Sequence, residues 1–292
     1  MKRIEILSHA IQYKEIGSGS TVILVHGYGG TIYDWDEVAA LLAKNYHVVI
    51  PNLSSIYMDP LRAVSFSQQV TVFREFINLF KKSAKDTIYI AGGSYGAAIC
   101  YGVAIEESNL VDRVALLNPM PPHPRDLLKN SAMKLLMEAS KLPAAVVLLL
   151  KSPAGRLGMK YIQRIFNVPW IKSNAQKNRL EKITTRKAKL IAHVLNRFTW
   201  INEVEDWEQW EKRLGYLKTP VHIIWGDKDN LFISGTYERL SEKFPSCEIT
   251  KVEGGKHVLM KERPEEISRI LIKFFSSHEK ALKIVYDNQE AN

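Results

Sequence analysis

Thr87-Ile88-Tyr89-Ile90-Ala91-Gly92-Gly93-Ser94-Tyr95-Gly96-Ala97-Ala98-Ile99-Cys100 is the stretch that decides the fold. Its first five residues are apolar and β-branched, the signature of a short buried strand. From Ala97 to Glu106 the residues are small and apolar, which predicts a buried helix. Between the two stands Gly-x-Ser-x-Gly, with serine at the apex of a strand–turn–helix, the arrangement called a nucleophile elbow. The glycines have a mechanical reason. The turn is so sharp that side chains at Gly92 and Gly96 would collide with the neighbouring strand and helix. The serine is held in a strained backbone state, its hydroxyl exposed at a helix N-terminus. The five-residue pattern alone is a common accident of glycine and serine usage. Its flanking elements, and the partners found downstream, give it weight.

A serine hydroxyl is a poor nucleophile at neutral pH. It needs a base, usually histidine, and the histidine needs a carboxylate to fix its tautomer. An elbow of this kind takes its acid and then its histidine from later in the chain. Four histidines follow at sufficient distance: His193, His222, His257 and His278. His257 fits best. The predicted strand Cys247 to Val252 ends in Glu253-Gly254-Gly255, which puts His257 on a loop at a strand's C-terminal end, where open α/β sheets place their chemistry. His222 falls within the predicted strand Val221 to Trp225 and reads as a packed core residue. His193 falls in a basic helical segment, and His278 in a polar tail. The acid comes from Gly226-Asp227-Lys228-Asp229. Asp227 suits a turn cap, and Asp229 reaches further towards the histidine loop. Strand Thr21 to Val25 ends in His26-Gly27-Tyr28-Gly29-Gly30. Its glycines would let a backbone N–H approach a developing oxyanion, with Tyr28 and Tyr95 as the donors. The loop has neither the Gly-x-Gly-x-x-Gly nor the Gly-Lys-Ser/Thr pattern of a phosphate cradle.

His26-Gly27-Tyr28-Gly29, Gly92-x-Ser94-x-Gly96, Gly226-Asp227-Lys228-Asp229 and Gly255-Lys256-His257 followed by Arg263-Pro264-Glu265 together resemble the α/β-hydrolase superfamily, in its single-domain group with a helical cap. The resemblance implies a Gly-x-x-Asp motif that aligns the acid with Asp229. It implies a serine hydrolase that cleaves a carboxylic ester or thioester through an acyl-enzyme, with no cofactor. Meta-cleavage carbon–carbon hydrolases share the triad, and some binding proteins of this fold keep it without turnover. Acyl transfer to an alcohol or amine would use the same residues. Dehalogenases and epoxide hydrolases of the fold use aspartate where this chain has Ser94. There are departures from the pattern: Lys256 separates glycine from histidine, Asn52 stands where relatives usually carry an acid, and Ile233 where they often carry proline.

The 292 residues suit one such core with an insertion, and 46% hydrophobic with 24% charged residues is ordinary for a soluble globular chain. The longest apolar run, Leu142 to Leu150, is too short to span a bilayer. The N-terminus reads as a strand, without a signal peptide's apolar core. Cys100 and Cys247 fall in predicted buried elements, which argues against a disulfide framework. A cytoplasmic location is expected. Strands are expected near residues 2–8, 11–16, 21–25, 47–50, 87–91, 113–117, 221–225 and 247–252. Helices are expected near 34–43, 66–82, 95–107, 203–214, 235–244 and 264–276. The alternation implies a mostly parallel sheet of about eight strands covered on both faces. The core is then 1–118 and 201–292, with a helical cap at 119–200 where the alternation stops.

That cap is basic. Between Pro121 and Arg197 there are sixteen lysines and arginines against three acids, a net of +13 in a chain whose total is +9. A solvated helical face would account for this. So would attraction of an anionic partner: a membrane surface, an acyl-carrier protein or a coenzyme A thioester. Nucleic acid is not expected, since no recognition motif accompanies the charge.

Overall fold

The computed structural model describes residues 1–57, 64–83, 85–129, 152 and 206–290, with residues 278–290 as backbone alone. Eight strands form one sheet in the order β1-β2-β4-β3-β5-β6-β7-β8. They are β1 (Lys2–Ile6), β2 (His9–Ile16), β3 (Thr21–Val25), β4 (His47–Asn52), β5 (Ile88–Gly93), β6 (Arg113–Leu117), β7 (Val221–Gly226) and β8 (Cys247–Val252). The first two pair antiparallel, β2 runs antiparallel to β4, and all later neighbours are parallel. β1 ends two residues earlier than its apolar run suggests. Leu7 and Ser8 both take positive φ, 46° and 66°, and close a two-residue hairpin pairing Ile6 with His9. Such tight hairpins need φ > 0 at both central residues, and glycine usually announces them; here nothing in the sequence does.

The helices are α1 (Asp36–Leu42), α2 (Ser54–Tyr57), α3 (Phe66–Asn78), α4 (Tyr95–Glu106), α5 (Pro124–Leu127), α6 (Trp207–Leu214), α7 (Thr236–Ser241), α8 (Leu259–Glu262) and α9 (Pro264–Glu290). α1 follows a short 3-10 turn at Ile32–Trp35. α3 shows how sequence builds an element here. Ser65 accepts from the Gln68 N–H at 3.1 Å while Gln68 accepts from the Ser65 N–H at 2.8 Å, a reciprocal cap. Phe66, Val70, Phe73, Phe76 and Ile77 then fall on one buried stripe.

The sheet separates two apolar layers. On one face α3, α4, Trp207, Trp210 and Tyr237 pack over Ile23, Val25, Ile88, Ile90 and Val114. On the other, α1 and α9 cover Leu24, Tyr89, Ala91 and Ile224, with Phe275 stacked on Tyr89 at 4.7 Å. Each fully buried aliphatic or aromatic side chain contributes about 1.5–3 kcal/mol. α4 is buried throughout residues 95–104, as its small apolar composition requires. α9 runs on past the expected end at 276. The cap region lies outside the described residues except for 119–129 and Ser152. Cys100 and Cys247 are both free thiols, and among the described residues no helix is long and apolar enough to cross a membrane.

Candidate active site

β5 continues through Gly92 and Gly93, still paired to β6, so the turn into α4 is made by Ser94 alone. Ser94 has φ 53° and ψ −118°, a backbone state that L-residues avoid. Its N–H donates to the Leu117 carbonyl at 2.9 Å, and its carbonyl accepts from the Met120 N–H at 3.0 Å. The end of β6 therefore holds the elbow from both sides. A Cβ at Gly92 would lie 2.5 Å from the Gly96 backbone, and one at Gly96 would lie 2.5 Å from the His26 carbonyl. Both contacts are with main chain that cannot give way, so glycine is required at both positions.

The β3 loop crosses the elbow closely: a Cβ at Gly27 would sit 3.2 Å from the Ser94 Cβ. Tyr28 follows Gly27 and Tyr95 follows Ser94, and their rings meet edge-on at 5.6 Å. The loop is pinned by His26, which the sequence did not mark as structural. Its ring is fully buried, with Nε2 accepting from the Leu53 N–H at 3.0 Å and Nδ1 bonded to the Gly27 carbonyl at 2.8 Å. Those partners fix the neutral form with its proton on Nδ1, and burial lowers its pKa accordingly. Asp34 holds the far end of the loop by accepting from the Thr31 N–H at 2.9 Å, and Lys261 on α8 pairs with Asp34 at 2.9 Å. Asn52 caps the next turn by accepting from the Ser54 N–H at 3.1 Å.

The ends of β7 and β8 are laced together. The Lys228 N–H donates to the Gly255 carbonyl at 2.8 Å, and a Cβ at Gly226 would lie 2.2 Å from that carbonyl. Asp227 accepts from the Gly254 N–H at 2.6 Å, which makes it the clasp between the two loops. Asp229 turns the other way. Its Oδ2 lies 2.8 Å from His257 Nδ1, and His257 Nε2 lies 3.0 Å from Ser94 Oγ. The side chains of His257 and Asp229 are 4% and 1% exposed, so this relay is dry apart from the serine end. Asp229 also accepts from the Leu231 N–H at 2.9 Å and from the Tyr237 hydroxyl at 2.5 Å. Burial pushes its carboxyl up, but the charge and hydrogen bond of His257, with the Tyr237 and Leu231 donors, outweigh burial and hold it below the usual carboxylate range.

The structure brings Ser94, Asp229 and His257 together, with Gly27, Gly92 and Gly96 packed around the serine. His222 is a core residue, its Nε2 bonded to Thr250 Oγ1 at 2.8 Å and its ring against Phe274. His193 lies outside the described residues. Besides the role of His26, two contributors were missed. Tyr237 gives no signal in sequence beyond being a tyrosine in a helix. Asn118, directly after β6, donates to the carbonyls of Lys256 and His257 and accepts from the Gly226 N–H.

A strained serine on an elbow, a buried histidine and a carboxylate from the last two parallel strands make up the arrangement seen across one group of folds, and the model of the alpha/beta hydrolase family matches residues 22–270. The chain belongs to the alpha/beta hydrolase family. It is similar to Lipase 1 of Psychrobacter immobilis, 26% identical over 260 residues, 87% of this chain and 77% of that one. A soluble epoxide hydrolase of Corynebacterium sp. (strain C12) matches at 24% over 116 residues, 40% of each chain, so this match spans less than half of that relative. Among solved structures, a protein of Acinetobacter baumannii AYE assigned as a lipase superposes with a TM-score of 0.74 at 21% identity, covering 96% of this chain and 92% of that one. At that identity the likeness carries the fold alone. As a member of the hydrolase family, the chain keeps the motif order that its sequence displays.

Proposed function

We propose that this hydrolase cleaves a carboxylic ester or thioester through an acyl-enzyme. The observation that carries the reading is the Ser94–His257–Asp229 relay, at 3.0 and 2.8 Å. Ser94 Oγ attacks the substrate carbonyl carbon as its proton passes to His257 Nε2. Asp229 keeps the other ring proton on Nδ1 and stabilises the imidazolium. The oxyanion that forms is held by the Tyr28 and Tyr95 N–H groups; a donor of this kind typically contributes about 3 kcal/mol to the barrier reduction. The leaving alcohol or thiol takes the proton from Nε2. Water, deprotonated by the same nitrogen, then attacks the acyl-serine and frees the carboxylic acid. An epoxide hydrolase reading is disfavoured by serine at the nucleophile position, where the resemblance implies aspartate for that chemistry.

The test is hydrolysis of p-nitrophenyl esters across acyl lengths, with Ser94→Ala alongside. The reading expects loss of about 10⁴-fold or more in kcat for the variant. It is overturned if turnover survives in Ser94→Ala, or if the intact chain is inert across the panel and unlabelled by a fluorophosphonate. The +13 stretch from 121 to 197 supports an anionic acyl donor. On that reading, kcat/KM for acyl donors carrying phosphate groups falls from low to high salt, while neutral esters show no such dependence.

A further inference from the structure

Asp229 Oδ2 accepts two hydrogen bonds at once. One is from His257 Nδ1 at 2.8 Å and the other from the Tyr237 hydroxyl at 2.5 Å, while Oδ1 takes the Leu231 N–H. Histidine needs only the first of these to be oriented. The second comes from a different element and is held ready. Tyr237 lies in the first turn of α7, which starts after Gly235 at φ 76° and is tied back by Thr236 Oγ1 donating to the Ile233 carbonyl at 2.7 Å. Its ring is buried against Trp225 and Phe232 at 5.7 and 6.4 Å. The phenol is thus preset on the carboxylate. Burial, then the adjacent Asp229, push it well above its ordinary pKa, so at neutral pH it is a protonated donor.

We propose that Tyr237 is a positioning residue that tunes the basicity of His257 through the Asp229 oxygen they share. Two donors on one oxygen compete for its electron density, so the phenol weakens the hold of Asp229 on the imidazolium. Removing the phenol would leave His257 Nδ1 as the remaining side-chain donor to that oxygen, and the carboxylate would hold the imidazolium more strongly. The neighbouring charges are otherwise engaged. Asp227 serves Gly254 and pairs with Lys228, Lys129 reaches Asn230, Glu262 accepts from the Lys256 N–H, and Lys261 pairs with Asp34. Among the described residues, Tyr237 and His257 supply the side-chain donors to this carboxylate.

The proposal rests on the serine-hydrolase reading for its consequence, but its test does not need turnover. His257 is titrated by NMR in the free protein, from its ring carbon and its downfield Nδ1 proton, in three forms: intact, Tyr237→Phe and Tyr237→3-fluorotyrosine. Phenylalanine removes the donor. Fluorine strengthens it at nearly constant shape. Tyr237→Phe is expected to bind the His257 proton roughly 3- to 10-fold more tightly, moving its titration up by about 0.5–1 pH unit. The fluorinated form is expected to move it down. The acid limb of fluorophosphonate labelling at Ser94 should shift in the same directions. A structural role alone lowers stability or amplitude without opposite shifts. No movement, or movement the same way in both forms, overturns the proposal; if Tyr237→Phe fails to fold, the fluorinated form decides by itself. Should Ser94 prove unreactive to every probe, the ester reading fails while the NMR titration still decides the role of Tyr237.

Discussion

Asn118 Nδ2 donates to the main-chain carbonyl of His257 at 3.0 Å, across 139 residues of chain. The same nitrogen donates to the Lys256 carbonyl at 2.7 Å, and Oδ1 accepts from the Gly226 N–H at 2.9 Å. Asn118 is fully buried with φ at 41°, a left-handed state that asparagine tolerates better than most residues. It follows Leu117, whose carbonyl anchors the Ser94 N–H. One amide therefore fixes the spacing between the serine, the acid strand and the histidine loop.

Replacing it tests that spacing. Asn118→Leu keeps the volume but strands the Gly226 N–H and the His257 carbonyl in the interior and removes the donor to the half-buried Lys256 carbonyl. The expected cost is about 2–4 kcal/mol of stability, measured by urea unfolding. Ester turnover should fall about 10- to 100-fold in kcat, since small misplacements of reacting groups are costly. Wild-type kcat in a folded Asn118→Leu would show that the geometry does not depend on this clasp.

The two aspartates of the β7 loop should separate cleanly. Asp229→Asn removes the carboxylate facing His257 and is expected to lower kcat by roughly 10⁴-fold. Asp227→Asn weakens the bond to the Gly254 N–H and the exposed pair with Lys228, both away from the histidine, and should stay within about tenfold of wild type. Steady-state kinetics on both variants decides, and the reverse ranking would reassign the acid.

Glycine substitutions probe the elbow. At Gly96 a Cβ meets the His26 and Val25 carbonyls at 2.5 and 2.6 Å. Gly96→Ala should cost more than about 3 kcal/mol or prevent folding. Gly29 has φ 74° but nothing within 4 Å of its Cβ position, so Gly29→Ala should cost only about 1–2 kcal/mol, the left-handed penalty. Comparison of denaturation midpoints checks the contrast.

Stability should fall in mild acid. His26 and His222 are both held below the ordinary histidine value of 6.5, chiefly by burial. Below pH 6.5 the unfolded chain binds protons that the folded one resists. Their contribution is therefore fully present above that pH and is lost as pH falls from there towards the lowered folded values. Each can add a slope of up to about 1.4 kcal/mol per pH unit. His222→Leu should flatten the dependence between pH 6.5 and 5 in equilibrium unfolding; an unchanged slope would mean that His222 contributes nothing to it.

Much of the fold was legible because its signals are local. Buried parallel strands read as β-branched runs, and α3 announces itself through Ser65, Gln68 and an apolar stripe. The β1–β2 hairpin was not legible, because Leu7 and Ser8 adopt positive φ without glycine. Nor was the full length of α9, because the polar run Ser276-Ser277-His278-Glu279-Lys280 interrupts its apolar period. The role of His26 was hidden as well: its position before Gly27 is visible, but its partner Leu53 is 27 residues away.

The sequence by itself determined the strand–helix alternation, the elbow around Ser94 and the candidates Asp229 and His257, because backbone propensity and sharp turns are set by neighbouring residues. Only the tertiary structure decided that Asp227 clasps while Asp229 faces the histidine, and that Asn118 and Tyr237 brace the site. Those choices depend on hydrogen bonds between segments brought together by the sheet, such as Tyr237 to Asp229 and Asn118 to His257. The direction of a side chain across such a distance follows from packing, which no local pattern encodes.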